Sequence, residues 1–182
     1  MERERLLAIL KEKSYEKREV TLASGRKSNF YIDCKQTTLD AEGAYLLGRL
    51  MYKKIEAMNE PIDGVGGLTL GADPIATALS IASFEANNPI PAFIIRKEPK
   101  GHGTGQWLEG RKNLKSGARV VIVEDVVTTG GSSLKAAKRA EEEGLTIVKI
   151  LALVDRCEGG REIIEEAGYK LDSLFERSEV VD

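Results

Sequence analysis

Glu124 and Asp125 are adjacent acids at the end of four consecutive β-branched residues, Val120 to Val123, and they open onto the turn Thr128-Thr-Gly-Gly-Ser-Ser133. Such an apolar run suits a strand covered on both faces, so the two acids fall at its carboxyl end, where open α/β sheets bind their ligands. Carboxylates accept hydrogen bonds from sugar hydroxyls. A turn of hydroxyls, glycines and unpaired N–H groups before a helix, expected at residues 134–143, takes up a phosphate. One phosphate and two acids match a ribose 5-phosphate.

Other phosphate chemistries fit less well. A Walker loop needs a lysine after its last glycine, and here Ser132 and Ser133 follow Gly131. No G-x-G-x-x-G follows a predicted strand, although Gly101-His-Gly-Thr-Gly105 imitates part of one in a polar loop. His102 is the single histidine, which leaves little support for a zinc site built by the protein or for a serine–histidine triad.

The elements that must position this site alternate. Leu6, Leu7 and Leu10 recur at helical spacing. Residues 20–33 alternate imperfectly around Ser24-Gly25, which predicts strands about a turn. Asp40 caps a helix running towards Asn59 that buries Ala44, Leu47, Leu50 and Met51. Strands are expected at 64–67, 92–95, 120–123, 147–154 and 171–175, with helices at 74–85, 134–143 and 162–167. Repeated β–α order predicts an α/β fold with a parallel, doubly wound sheet. The break at residues 97–116 is long for a compact domain and is a candidate lid over the site.

With 182 residues, 42% of them apolar, the chain is the size of one domain, residues 1–182. A net charge of -2 argues against a general nucleic-acid binder. No run approaches the roughly 18 residues of a membrane helix, so no membrane partner and a cytoplasmic location are expected. Cys34 and Cys157 lack metal-like spacing and read as reduced, packed thiols.

The stretch from Val121 to Ser132 resembles the signature of the type I phosphoribosyltransferases: a hydrophobic strand, two acids, two apolar residues and a Thr/Gly-rich turn. Three further segments resemble the orotate-using branch of that family in its order. They are Leu22-Ala-Ser-Gly-Arg-Lys-Ser28 with Phe30-Tyr31, Arg96-Lys-Glu-Pro-Lys-Gly-His-Gly103, and Ala152-Leu-Val-Asp-Arg156. The resemblance implies a mostly parallel twisted sheet flanked by helices, with a small N-terminal hood from about residues 1–38. It implies phosphoribosyl pyrophosphate as donor, held with magnesium mainly through substrate and water, and orotate as acceptor, giving orotidine monophosphate and pyrophosphate in pyrimidine synthesis. It further implies a homodimer in which the lid of one subunit completes the site of the other.

Residue by residue, the resemblance gives the donor to Arg96, Lys97, Lys100, His102, Glu124 and Asp125, and to the run Val126, Val127, Thr128, Thr129, Gly130, Gly131 and Ser132. Lys100, His102, Glu124 and Asp125 are the catalytic candidates. Thr128, Arg156 and Tyr31 fall to the acceptor, with Arg156 opposite its carboxylate. Gly66-Gly67-Leu-Thr-Leu-Gly71 either lets main-chain amides approach pyrophosphate or simply makes a tight turn. Phe30 and Tyr31 either wall the base or pack a strand, and Trp107 reads as a lid or interface anchor. Two departures stand out: many relatives carry an aromatic residue and a lysine where this chain has Leu70-Gly71, and a lysine where it has Ala23. Two other readings of the same signature are a purine phosphoribosyltransferase and a non-catalytic sensor of the donor.

Overall fold

The computed structural model describes residues 1–18, 20, 21, 27, 28, 30–99 and 106–181. Helix α1, Glu2–Lys13, buries Leu6, Ile9 and Leu10, as the leucine spacing predicts. Strands β1, Tyr15–Glu16, and β4, Tyr31–Ile32, pair antiparallel, as do β2, Val20–Thr21, and β3, Lys27–Ser28. Ala23, Ser24, Gly25 and Arg26 lie outside the described residues. A short helix α2, Lys35–Thr38, leads to α3, Ala41–Glu56, where the Asp40 side chain accepts from Gly43 N–H as an N-cap.

Beyond α3 the chain alternates: β5 Gly64–Leu68, α4 Ala72–Glu85, β6 Ala92–Ile95, β7 Leu108–Glu109, β8 Arg119–Val127, α5 Gly131–Glu142, β9 Thr146–Asp155, α6 Gly160–Glu166, β10 Leu171–Glu176 and α7 Arg177–Val180. The six-stranded sheet has the order β10-β9-β8-β5-β6-β7, and only the β6–β7 pair is antiparallel. Strands β8 and β5 are neighbours from opposite halves of this order, which makes the crevice at their carboxyl ends a switch point.

Two apolar clusters cover the two faces. Val65, Val121, Val123 and Leu151 pack with Ile75 and Leu79 of α4, and that cluster extends to Leu6, Ile9, Leu10 and Phe30. Val120, Ile122 and Ile150 pack with Ala136, Ala137 and Ala140 of α5 and Ile164 of α6. Successive residues of β8 therefore face opposite layers.

Two expectations shift. Helix α3 buries Leu47 and Met51, but Ala44 and Leu50 are only half-buried, and Gly43 and Gly48 lie deeper. A Cβ at Gly48 would overlap the Ala78 carbonyl, so α3 and α4 approach through a glycine that an apolar pattern does not register. The break at 97–116 is not one loop. Leu108 and Glu109 pair with Ile95 and Ile94, and Leu108 and Leu114 are buried. A lid is left with residues 97–105, of which 100–105, including Lys100 and His102, lie outside the described residues. Among the described residues no helix is long and apolar enough to cross a membrane.

Candidate active site

Strand β8 runs through the acids to Val127, four residues further than its apolar run suggests. Alternation sends Glu124 to the α5 side, where Ser133 Oγ donates to Glu124 Oε2 at 3.2 Å. Asp125 goes to the α4 side, and its carboxylate lies against Gly71: a Cβ built there would stand 2.6 Å from Asp125 Oδ1. One acid thus serves each crossover, and the two helices start on either side of the pair.

Their environments differ. Glu124 is 5% exposed, and burial, followed by the Asp125 charge beside it, raises its pKa to about 8. At neutral pH its carboxyl keeps a proton and can donate as well as accept. Asp125 is half-buried and accepts from Val126 N–H at 2.9 Å. Cys34 is buried nearby, and burial and then the Asp125 charge hold its thiol well above its ordinary pKa. Lys35 also senses Asp125, although its ammonium pairs first with Asp33 at 2.7 Å.

Helix α5 starts at Gly131 rather than at residue 134, after Gly130 with φ of 78°. Thr129, Gly131 and Ser132 are exposed, and Thr128 is half-buried. No backbone N–H from Thr129 to Ser132 reaches a backbone acceptor among the described residues. The same holds for Leu70, Gly71 and Ala72 at the start of α4. Two sets of unpaired N–H groups therefore flank Asp125, each at the positive end of a helix. Val126 and Val127 contribute differently: they belong to β8, Val127 is 1% exposed, and its carbonyl accepts from Arg156 N–H at 2.9 Å.

That last bond puts Arg156 beside the Thr128 turn. Its side chain is buried, with Nη2 2.8 Å from Glu158 Oε1 and the guanidinium 4.9 Å from the Phe30 ring centre. Arg177 meets the same Glu158 oxygen at 3.1 Å and lies 5.1 Å from the same ring. Phe30 is 1% exposed and packs, while Tyr31 is half-buried under the Arg18 guanidinium at 3.9 Å. Arg96 follows β6 directly, but its Nη1 pairs with Glu109 at 3.0 Å, and Lys97 is exposed. Trp107 is half-buried beneath Arg139 at 3.8 Å. Cys157, expected to be packed, is exposed: it follows the end of β9 with φ of 54°. Both cysteines are free.

The comparisons with known proteins agree on the family and the fold. The phosphoribosyl transferase domain family matches residues 36–172. Orotate phosphoribosyltransferase of Aquifex aeolicus is 48% identical over 100% of this chain and 98% of its own length. The chain belongs to the orotate phosphoribosyltransferase family.

Solved members of the orotate phosphoribosyltransferase family share the fold. The Mycobacterium tuberculosis enzyme with Fe(III) dicitrate superimposes with a TM-score of 0.85 at 36% identity, covering 99% of both chains. The same enzyme in complex with 5-phospho-α-D-ribosyl 1-diphosphate gives 0.81 at 35%, again over 99% of both. The α/β fold, the transferase class and the family expected from the signature therefore stand. Sequence reasoning gave no role to Lys35, Glu158 or Asp73, and it took Ser133 as a hydroxyl of the phosphate turn rather than as the partner of Glu124.

Proposed function

We propose that the chain transfers the phosphoribosyl group of phosphoribosyl pyrophosphate to orotate, releasing pyrophosphate and forming orotidine monophosphate for pyrimidine synthesis. The observation that carries this is the position of Asp125 between two turns with unpaired N–H groups, one suited to a 5-phosphate and one to a pyrophosphate. The spacing of one acid pair and two anion turns answers the three parts of that donor. Family membership supports orotate over a purine, since an adenine enzyme from Trypanosoma brucei is only 13% identical, a likeness of fold.

As the bond to pyrophosphate breaks, positive charge develops on the ribose ring. Asp125 and Glu124 hold the ring hydroxyls, Asp125 placing negative charge close to it and the protonated Glu124 donating or accepting, while the turn from Thr128 to Ser132 grips the phosphate. Arg96 and Lys97 stand on the pyrophosphate side, joined in this reading by Lys100 and His102 from the lid, which also excludes water. Arg156 faces the acceptor carboxylate, with Thr128 and Tyr31 around the base. Magnesium arriving with the donor would supply positive charge to its phosphates. Among the described residues no group of three acids, histidines or cysteines could hold a metal ion.

The reading includes one domain, residues 1–182, with a hood from residues 1–38, and a homodimer. Pro74, Thr77, Ile81 and Phe84 recur at helical spacing on α4, and Ile81 and Phe84 are 56% and 71% exposed. With Leu39 and Leu70, the first three of these border a shallow cavity of about 560 Å³, an apolar face suited to a second copy.

A base panel with phosphoribosyl pyrophosphate and magnesium, following nucleotide and pyrophosphate together, tests the reading. Orotate should be used and uracil, which lacks the carboxylate, should not. Equal turnover of the two removes the role of Arg156, and donor binding without turnover on any base turns the reading into a sensor.

A further inference from the structure

Asp73, the second residue of α4, has no part in the scheme above. Its Oδ2 accepts the Thr69 hydroxyl at 2.6 Å, and its backbone N–H donates to the Leu70 carbonyl at 3.3 Å. Its Oδ1 is buried without a partner among the described residues. A solvated aspartate would serve the helix dipole equally well, and a bare buried carboxylate oxygen is costly, so the dipole alone does not account for this placement. The placement does account for Thr69. That residue is tied twice: its N–H donates to the Ile95 carbonyl at 2.9 Å, fixing it to β6, and its hydroxyl fixes it to α4.

The turn so anchored is Thr69 to Gly71. Leu70 is 66% exposed and apolar, and Gly71 has no side chain, so these two residues can hold an anion only through their main chain. A main-chain grip works to the extent that the N–H groups are fixed before the ligand arrives. The N–H groups of Leu70, Gly71 and Ala72 are the ones left unpaired beside Asp125.

We infer that Asp73 is a positioning residue for pyrophosphate: by holding the Thr69 hydroxyl it sets the turn whose main chain receives the leaving group. The inference rests on the reading of this cleft as a phosphoribosyl pyrophosphate site. Asp73 touches no substrate and acts through Thr69.

The test is calorimetric titration of pyrophosphate with magnesium into the full chain and into Thr69→Val, Thr69→Ser, Asp73→Ala and the Thr69→Val/Asp73→Ala double variant, with steady-state kinetics alongside. Thr69→Val and Asp73→Ala should each weaken pyrophosphate and raise the donor KM by about tenfold, the loss of one charge-assisted hydrogen bond. The orotate KM should hold, Thr69→Ser should restore binding, and the double variant should be no worse than either single one. Wild-type pyrophosphate affinity in Thr69→Val overturns the inference. Additive losses do the same, as does a parallel rise of both KM values with a falling Tm. If Asp73→Ala does not fold, the Thr69→Val and Thr69→Ser pair decides alone. A wild-type protein that binds pyrophosphate but does not use orotate removes the acceptor assignment and leaves the clamp to stand on these affinities. One that binds no pyrophosphate removes both.

Discussion

Gly71 and Asp125 are in contact across the cleft, with no room for a methyl group between the turn and the carboxylate. Backbone conformation does not demand glycine here, since φ is -60°. Gly71→Ala should therefore fold with little change in Tm while displacing the Asp125 carboxylate. A fall in kcat of at least about tenfold is expected, because the charge moves away from where the ring develops its own. Thermal melts beside initial rates check it, and unaltered rates would mean that the carboxylate can give way without cost.

Asp125→Asn leaves the volume and removes the charge. Loss of one preorganised electrostatic contact costs on the order of 10²–10³ in turnover. Asp125 is half-buried at the end of a strand, so denaturant midpoints should barely move, whereas unfolding of the variant would assign the residue to structure.

Glu124 predicts a pH signature in the ligand-free protein. Folded, it holds its proton up to about 8, while the unfolded chain releases it near 4.5. Its contribution to stability is thus fully present below the unfolded value and is lost as pH rises through the folded one. Between about pH 5 and 8 the wild type should lose stability relative to Glu124→Gln, with the difference level above that window. Parallel denaturation curves for the two proteins across the window would show that the acid is not buried in its neutral form.

Glu158 holds two arginines on one oxygen, and both Glu158 and Arg156 are nearly enclosed. Glu158→Ala leaves Arg156 buried without that partner, and breaking such a pair costs about 3 kcal/mol or more. Urea unfolding measures this directly. A loss below about 1 kcal/mol, the range of surface pairs, would mean that water reaches the cluster.

The shared site can be read by mixing. A Lys100→Ala subunit and an Asp125→Asn subunit, allowed to exchange, should give mixed dimers with one site carrying both wild-type groups and one carrying neither. With equal amounts and random exchange, half the dimers are mixed, so about a quarter of all sites should work. Activity at the average of the two separate variants, with exchange verified independently, rejects a lid that acts across the interface.

Much of this was legible in the chain. The apolar runs marked β6, β8 and β9, because strands covered on both faces favour β-branched or aromatic residues, and the acids near the end of β8 with the glycines after it marked the cleft. The failures have physical causes. Strand β7 has two residues, too few to display a period. Gly48 is buried because it is small, so hydrophobicity misplaces the packed face of α3. The start of α5 was set too late because Gly131, Ser132 and Ser133 look like loop residues, yet the first turn of a helix leaves its N–H groups unpaired and tolerates them. Glu158 and Asp73 carry no motif: Arg156 and Thr69 lie within four residues of them, but only the turns between bring the side chains together.

The bond from Arg96 N–H to the Trp107 carbonyl ties the two stems of the lid segment together at 2.9 Å. The chain between them, residues 97–106, has a fixed contour. Eleven steps between α-carbons span at most about 38 Å, and a strand that must return to its own root reaches outward only about half of that, roughly 19 Å. Lys100 is four steps from one stem, which limits it to about 14 Å from Arg96. The tether is thus a measuring stick: whichever subunit owns the cleft, its leaving-group end must fall inside that radius, lengthened by the lysine side chain itself, for Lys100 to touch it.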